Sequence, residues 1–487
     1  MRAALSFPCF LLITFCLFGP ELSTAEEYHT FTNSSGKSIE AKVDSYENGQ
    51  ATISLRSGQQ FTIPAATLSA ADQKFLTAWK PASAPATALP TDGVDVAAIN
   101  KAIGQELFGR TTLWESKPEE VAERINWRRE SKTDISESYR SYPKAEYRFF
   151  GARPFSAALY GEDEKVTGVS IVFANKGDSF SAAGKGEDHF IKGKPVPGGI
   201  DGVRVLMEYD AETISENLTN LLGESENQKF GEGESRVSVD RWDWAGHSFL
   251  LSNVEDEYVS LAVQTNEFAD ARGRTKRVPD SVVRERVRGF VEARENGDVV
   301  VTNIPMVDQG PKGYCVPATA ERCMRFLGIS ADMYLLAMAG ETTAGGGTSV
   351  DRLLSNIGSD IKRKGRSFEI ESGELKLRDI KRSIDDGIPI MWACYSTEEF
   401  NDTANARTKS RQSDSWDSYK ATVAAAADSP ALTPDSSRSH VVIIMGYNEE
   451  TDEIAFSDSW GERYLERWIT IPEAEQISQK RFYVIDL

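Results

Sequence analysis

The sequence has too little positive charge for several large classes of protein. Its 55 Lys and Arg residues are outnumbered by 74 Asp and Glu residues, which gives a formal net charge of −19. A nucleic acid or an anionic membrane is therefore not an expected partner, because phosphate binding needs a basic surface. No stretch beyond the N-terminus has 18 uninterrupted apolar residues, so we expect no stable membrane span in the mature protein.

Histidine is also scarce, and this limits metal chemistry. Only four histidines occur in 487 residues, and His189 and His247 of the central region lack the spacing of a metal-ligand pair. Neither a Walker phosphate loop nor a His-Glu-x-x-His helix is present. We therefore expect neither a metal site nor a cofactor.

The long apolar run of the chain is confined to its beginning. Residues 1–25 combine Arg2, an apolar segment from 7 to 18 and small residues up to Ala25. This pattern predicts a secretory signal peptide that is cleaved after Ala25, and hence a periplasmic or extracellular protein. The alternative is an uncleaved anchor, for which the apolar run is short.

Cysteine is rare, with five residues in all, two of them inside the predicted signal peptide. Cys315, Cys323 and Cys394 remain, an odd number that suits one free reactive thiol and two others. Eight helical residues would separate Cys315 from Cys323 by about 12 Å, which is too far for a disulfide. Cys323 and Cys394 can pair, but their apolar neighbours favour two buried thiols.

The stretch DQGPKGYCVPATAERCMRFL, residues 308–327, places Cys315 at the start of a predicted helix. Pro317 and apolar residues at helical spacing follow the cysteine. The first turn of a helix offers unpaired N–H groups and a positive dipole end, and both favour a thiolate. Gln309 can supply a side-chain donor to an oxyanion. The alternative for a lone cysteine in this position is a small buried residue.

A predicted β-hairpin near the C-terminus brings in two more reactive side chains. His440 opens its first strand, Asp458 closes its second, and Glu449 lies at the centre of the turn. An antiparallel hairpin centred there would oppose His440 and Asp458 directly, and opposed side chains touch. A cysteine nucleophile needs this pair. His440 would take the proton of Cys315 and return it to the leaving amine, while Asp458 would orient the imidazole.

These residues, with the Ser-Trp-Gly that follows Asp458, resemble the papain-fold cysteine peptidases. They resemble more closely the double-glycine-leader (bacteriocin-processing) peptidases and their bacterial relatives, over residues 297–487. The resemblance implies that Gln309 serves the oxyanion hole and that Trp460 shields the His–Asp contact. It also implies that a Gly-rich loop borders the substrate cleft, for which a flexible turn is the alternative. That loop contains Gly346 and Gly347.

The sequence departs from these families in three respects. The Cys-Gly-Ser/Ala-Cys-Trp signature around the papain nucleophile is absent. Asp458 stands where papain has asparagine. No transporter segment follows, so a leader-processing role is not implied.

Residues 27–80 form a predicted N-terminal module. Short alternating segments separated by turn residues predict a small antiparallel barrel, and a helix would pack Phe75, Leu76 and Trp79 on it. The module resembles the SH3-like Sla-homology domain of exported bacterial proteins. An unknown ligand and a purely structural spacer are equally compatible with it. Residues 81–95 are rich in Pro and Ala and predict a semi-rigid linker.

Residues 96–296 predict one α+β domain of unknown function. Strand-like runs occupy 147–176 and 236–265, with a helix around 212–222 between them. A further helix is predicted from Asp280 to about Arg294. No motif in this region carries recognisable chemistry.

The predicted fold class is thus multidomain α+β. A small SH3-like β-barrel and a middle α+β domain precede a C-terminal papain-like α+β cysteine peptidase domain, residues 297–487. Inside the last domain, residues 396–438 are a long polar stretch that we expect to be a loop and to form a wall or lid of the cleft.

The predicted function is that of an exported papain-like cysteine peptidase, which hydrolyses peptide amide bonds through a thioester on Cys315. Its partner would be a peptide or protein substrate. The same site can serve an isopeptidase, an amidase or an acyl transferase. The sequence is also compatible with a catalytically silent envelope scaffold, and with an enzyme that stays latent under its middle domain or its polar stretch.

Overall fold

The computed structural model describes residues 28–34, 36–47, 49–55, 59–79, 89–90, 93–179, 189, 196–233, 236–275, 277–343 and 347–487. The predicted signal peptide and most of the predicted linker lie outside these ranges. No helix within the ranges is long and apolar enough to cross a membrane. The chain divides into two compact units, residues 1–86 and 87–487.

The N-terminal unit contains an antiparallel sheet and one helix that covers it. Its elements are β1 (His29–Thr32), β2 (Ser38–Glu47), β3 (Gln50–Ser54), β4 (Gln60–Pro64), a 3₁₀ turn (Ala65–Thr67) and α1 (Ala70–Ala78), and the strands pair in chain order. Ser69 caps α1, and Leu76 is fully buried beside the sheet. The predicted strands and helix are confirmed, while the SH3-like barrel and its ligand stay predictions.

The second unit begins with a helix-covered antiparallel sheet, called here the central sheet. Its strands are β5 (Arg128–Lys132), β6 (Glu137–Ser141), β7 (Ser156–Glu162), β8 (Lys165–Asn175), β9 (Glu226–Phe230), β10 (Val237–Trp244), β11 (His247–Val254) and β12 (Tyr258–Thr265). They pair in the order β5-β6-β7-β8-β12-β11-β10-β9. The helices of this region are α2 (Val96–Ile103), α3 (Pro118–Ile125), α4 (Lys176–Ser179), α5 (Gly199–Leu222), α6 (Asn266–Asp270) and α7 (Asp280–Gly289).

Most of the predicted central strands are present, but residues 147–151, at the start of the first strand-like run, form a turn. Phe149 and Phe150 lie at that turn, and Phe150 has a φ of 46°. Both rings are fully buried. Adjacent buried residues break the alternation of a strand, and here they anchor a turn to the core instead.

The helix predicted from Asp280 to Arg294 is too long. Helix α7 ends at Gly289, and the chain then enters strand β13 (Val291–Ala293), which pairs with β14 (Asp298–Val301). A turn with Gly297 at a φ of 84° joins the two strands. The valines of both segments favour the strands of a hairpin over a helix, because β-branched side chains have a high strand propensity. The predicted domain boundary at residue 296 falls within this hairpin.

A second antiparallel sheet, called here the C-terminal sheet, follows. It pairs in the order β13-β14-β17-β16-β20-β15, with β18 on β17 and β19 on β18. Its strands are β15 (Ser367–Ser372), β16 (Ile390–Tyr395), β17 (Ser439–Asn448), β18 (Glu453–Ser457), β19 (Arg467–Thr470) and β20 (Ser478–Asp486). Its helices are α8 (Cys315–Phe326), α9 (Met333–Ala339), α10 (Val350–Arg363), α11 (Leu377–Asp385), α12 (Glu398–Ser413), α13 (Trp416–Asp428) and α14 (Ile471–Gln476).

The polar stretch 396–438 is not the loop we predicted, because α12 and α13 occupy most of it. Helix α12 faces the sheet with Phe400, Ala404, Arg407 and Arg411, spaced as one helical face. The two arginines are buried in ion pairs with acidic residues of the C-terminal sheet and of α14. Arginines thus replace the apolar residues whose period would have marked the helix. Whether the stretch acts as a wall or as a lid stays a prediction.

Candidate active site

Cys315 lies where its sequence context predicts. Cys315 is the first residue of α8, and Tyr314 is the N-cap. Helix α8 is buried against β17, to which Thr319 donates a hydrogen bond at the carbonyl of Val441, 3.2 Å away. Only 9% of Cys315 is exposed. The fold therefore presents the thiol at the positive end of a buried helix.

The surroundings of Cys315 favour its ionised form. Burial by itself raises the pKa of the thiol, since a charge is poorly solvated there. A hydrogen bond and the charge of the His440 imidazole, with the N–H groups of Val441 and Val316, outweigh burial. The net result is a pKa below the ordinary value for cysteine, as an activated nucleophile requires.

His440 and Asp458 meet inside the sheet. The His440 Nε2 lies 2.6 Å from Asp458 Oδ1, and both residues are buried. A carboxylate can only accept, so Nε2 carries the proton and Nδ1 is left for the thiol of Cys315. His440 thus contacts both the Asp458 carboxylate and the Cys315 thiol.

The predicted register of this hairpin is wrong, although the side chains meet. Its turn runs from Asn448 to Glu453, so it is centred beyond Glu449, and a bulge lies between Ile444 and Gly446. The strand pairing consequently ends with Ile443 opposite Ser457, before it reaches His440. Asp458 follows β18 directly and contacts the imidazole on the diagonal, which side chains of this length can span.

Two neighbours of the His–Asp pair complete its surroundings. The Trp460 ring stacks on the His440 ring, with the centroids 4.8 Å apart and the planes tilted by 27°. The guanidinium of Arg467 donates to Asp458 Oδ2. The sequence indicated Trp460 through its Ser-Trp-Gly context but gave no sign of Arg467, which is an ordinary strand residue nine positions later.

The remaining predicted site residues are Gln309, Gly346 and Gly347. Gln309 is buried, and its Nε2 donates to the carbonyl of Lys312 at 3.0 Å. Its backbone N–H donates to the carbonyl of Ser459, so its loop adjoins the one after Asp458. Gly346 lies outside the described residues. Gly347 is exposed and does not line the cleft beside His440.

The other two cysteines are free and buried, as the apolar context favours. Cys394 is the strand partner of His440 across β16 and β17. Burial raises the pKa of Cys323 to about 12 and that of Cys394 further. Burial thus favours the protonated form of both thiols near neutral pH, in contrast to Cys315.

An open cleft of about 500 Å³ lies beside the imidazole. It is lined by Ser396, Glu398, Asn401, Ser437, Arg438, Ser439, His440 and Trp460. Three of these residues come from the start of α12 and the segment before it. The stretch 396–438 thus forms part of the wall of this cleft.

The central sheet holds the loop that precedes Cys315. Ser131 accepts a hydrogen bond from the N–H of Met306 at 3.0 Å, and Glu130 accepts one from the N–H of Asp308 at 2.7 Å. The hydroxyl of Tyr142 donates to the carbonyl of Asp308. The central sheet is thus a direct support of the nucleophile loop, which no motif in its sequence indicated.

A buried lysine strengthens this support. The Nζ of Lys312 lies 3.3 Å from Asp178 Oδ1, and the lysine side chain has no exposed surface. Its ammonium faces the rings of Tyr142, Tyr314 and Tyr334 at 4.7, 5.6 and 5.1 Å. Burial lowers the pKa of Lys312, and the charge of Asp178 opposes that shift.

Nothing in the described part of the chain suggests a metal centre. No group of three or more His, Cys, Asp or Glu side chains in that part is arranged to hold an ion. The site itself presents a thiol, an imidazole and a carboxylate at a helix N-terminus.

A family comparison agrees with this site. Residues 301–484 match the profile of the Peptidase_C39 like family, and this stretch includes Cys315, His440 and Asp458. Among solved structures, the chain is similar to the peptidase domain of Streptococcus ComA, a bi-functional ABC transporter involved in a quorum sensing pathway. That similarity has 9% identity and a TM-score of 0.25, and it covers 37% of this chain and 96% of the other. No curated protein matches the chain. The family match supports a C39-like cysteine peptidase domain at the C-terminus.

Proposed function

We propose that the chain is a cysteine peptidase that hydrolyses peptide amide bonds through a thioester on Cys315. The observation that carries this proposal is that His440 contacts both the carboxylate of Asp458 and the thiol of Cys315. Asp458 holds Nε2 of His440 at 2.6 Å, and the same imidazole lowers the pKa of the thiol. The match of residues 301–484 to a peptidase family agrees with that chemistry.

The reaction proceeds in two halves. In the first, Nδ1 of His440 takes the thiol proton, and the Cys315 sulfur attacks the carbonyl carbon of the scissile amide. The tetrahedral intermediate collapses as the imidazolium gives its proton to the leaving amine, and an acyl thioester remains. In the second, water attacks the thioester with the imidazole as base, and the thiol is restored. Asp458 keeps the ring in one tautomer throughout.

The developing oxyanion has two sources of donors. The N-terminus of α8 supplies backbone N–H groups and the positive end of the helix dipole. Gln309 supplies its amide, because Nε2 has two N–H groups and only one donates to the carbonyl of Lys312. We assign Gln309 this role as the donor that approaches from the loop before the thiol.

The low exposure of the Cys315 side chain supports a second candidate function. A thiol that is only 9% exposed suits a peptidase-like scaffold without activity, or an enzyme that is latent as the full-length chain. Acyl transfer and isopeptide or side-chain amide hydrolysis use the same thioester and differ only in acceptor or substrate.

Export and N-terminal binding complete the proposal. We infer export from the signal pattern of residues 1–25, which would place the enzyme in the periplasm or outside a bacterial cell. The SH3-like module, residues 27–80, would then bind an unidentified ligand or act as a spacer. The substrate would be a peptide or protein.

Labelling with iodoacetamide tests the proposed function. The reduced full chain is labelled between pH 4 and 9, and each cysteine is followed by peptide mass spectrometry. Cys315 should react well below the pKa of a free thiol, about 8.5. Cys323 and Cys394 are built-in controls that should stay unlabelled in the folded protein. His440→Ala should abolish the reaction of Cys315 at low pH.

Two outcomes would contradict the proposal. Slow labelling of Cys315 that rises only above the free-thiol pKa and ignores His440→Ala would leave the scaffold as the better account. Labelling that becomes fast only after proteolytic nicking would identify a latent enzyme. Hydrolysis of a peptide library, with Cys315→Ala as the blank, then separates a peptidase from a transferase.

A further inference from the structure

The triad carboxylate has a second partner behind it. Asp458 is fully buried, and while Oδ1 accepts from His440, Oδ2 accepts from Arg467. Arg467 is the first residue of β19, and only 2% of its side chain is exposed. Each carboxylate oxygen therefore has its own charged or polar donor.

Arg467 is itself held firmly. Its Nη1 donates to Asn401 Oδ1 at 2.9 Å and to Asn405 Oδ1 at 3.4 Å, both on α12. Its guanidinium also lies over aromatic rings. These are Phe456, Tyr464, Trp460 and Phe400, at 4.7, 5.3, 5.8 and 5.9 Å from the ring centroids. The guanidinium is thus held by the asparagines of α12, by the aromatic rings and by the carboxylate of Asp458.

Stability alone gives a poor account of this arrangement. A buried ion pair is often no more stable than apolar residues of the same volume, since both charges lose their hydration. The Nε of Arg467 has no hydrogen-bond partner among the described residues. The buried guanidinium therefore carries a desolvation cost that packing alone does not offset.

We propose that Arg467 is a positioning residue for the reaction, which holds Asp458 as a carboxylate fixed against His440 and, through that pair, favours the thiolate of Cys315. The inference rests on the proposed function and adds Arg467 to the residues of its site. Asn401 lines the cleft and accepts a hydrogen bond from Arg467, so it connects Arg467 to the cleft wall.

Few other charges face the guanidinium. Asp458 is its carboxylate partner, and the hydroxyl of Tyr464 and the thiol of Cys394 are the neighbouring titratable groups. Burial raises the pKa of Cys394, so that thiol is neutral at physiological pH. Burial lowers the pKa of Arg467 to about 10, which still leaves it charged near neutrality. Among the residues that the structure describes, Asp458 is therefore the charged partner of Arg467.

Removal of this charge has a defined sign. Without its cation the buried Asp458 carboxylate binds a proton more readily, and a protonated Asp458 no longer favours the imidazolium that stabilises the Cys315 thiolate. Arg467→Gln keeps donors for Asp458 but is neutral, so the midpoint of Cys315 labelling should rise by about one pH unit. Arg467→Lys keeps the charge, so its midpoint should stay close to that of the unaltered chain.

The experiment measures the pH midpoint of iodoacetamide labelling at Cys315 in the full chain. Arg411→Gln is the matched control. Arg411 lies on α12, and its side chain, like that of Arg467, is buried in ion pairs. Its partners are Asp298 and Glu453, and it does not contact Asp458. Its midpoint should not move. Far-UV circular dichroism and thermal unfolding show whether each variant is folded.

Three results would overturn the inference. The first is a folded Arg467→Gln protein with an unmoved midpoint. The second is a midpoint of Arg411→Gln that rises as far, which would indicate a general effect of destabilisation. The third is a displaced midpoint of Arg467→Lys, which would indicate packing rather than charge and decides the matter even if Arg467→Gln fails to fold. An unactivated Cys315 in the unaltered chain would instead refute the proposed function itself.

Discussion

The pair formed by Lys312 and Asp178 should be the most sensitive contact between the central sheet and the nucleophile loop. Both side chains are almost fully buried, and Nζ lies 3.3 Å from Oδ1. The gross Coulomb attraction at that distance is about 5 kcal/mol at an effective dielectric constant of about 20. The loss of hydration of two buried charges offsets most of it. The net contribution is small, but either charge left alone is costly.

The two single substitutions should therefore differ. Asp178→Asn leaves a buried ammonium without its carboxylate, and we expect a loss of about 3–5 kcal/mol in the free energy of unfolding. Lys312→Met leaves a carboxylate that still accepts from Asn175 at 3.0 Å and from Tyr334 at 3.2 Å. Its expected cost is about 1–3 kcal/mol. The double variant should be more stable than the sum of the two losses implies.

Urea unfolding, followed by tryptophan fluorescence and far-UV circular dichroism, measures these free energies. The exposed pair of Lys381 and Glu449, 2.6 Å apart, is the matched control, and its removal should leave the unfolding midpoint unchanged. Labelling of Cys315 should slow in both Asp178→Asn and Lys312→Met, because each substitution loosens the loop before the thiol. Unchanged stability of Asp178→Asn, or strictly additive losses in the double variant, would refute this reasoning.

Three further predictions concern single positions. Asp458→Asn deprives the buried guanidinium behind it of its anion, so urea unfolding should show a loss of about 3–5 kcal/mol, and equal stability would contradict the ion pair. Burial raises the pKa of Glu321 to about 7. The native state therefore retains a proton that the unfolded state releases, and stability should fall by about 2–4 kcal/mol as the pH rises from about 4.5 to 7. Glu321→Gln should lack that fall in unfolding measured across this range. Gly310→Ala places a Cβ 2.7 Å from the ring of Tyr142 at a φ of +66° and should cost about 1–3 kcal/mol, more than Gly246→Ala, where the same atom meets open space.

Local patterns in the sequence were sufficient for the elements that carry the site. Helical spacing after Pro317 predicts a helix that begins at Cys315, and the structure starts α8 at that residue. Apolar runs on either side of a polar turn predict the hairpin that carries His440 and Asp458. These predictions succeed because capping, periodicity and turn chemistry act between residues close in the chain.

Long-range contacts decided the rest. The bulge near Met445 shifts the hairpin register, so His440 and Asp458 meet on a diagonal that no count along the chain gives. Helix α12 escaped prediction because it buries arginines on partners that lie elsewhere in the chain. Arg467 and Lys312 read as ordinary surface residues, and only tertiary packing places them behind the triad and beneath the nucleophile loop. The chemistry of a thiol, an imidazole and a carboxylate is thus local and readable in the sequence, whereas the charges that position these groups come from residues brought together only by the folded chain.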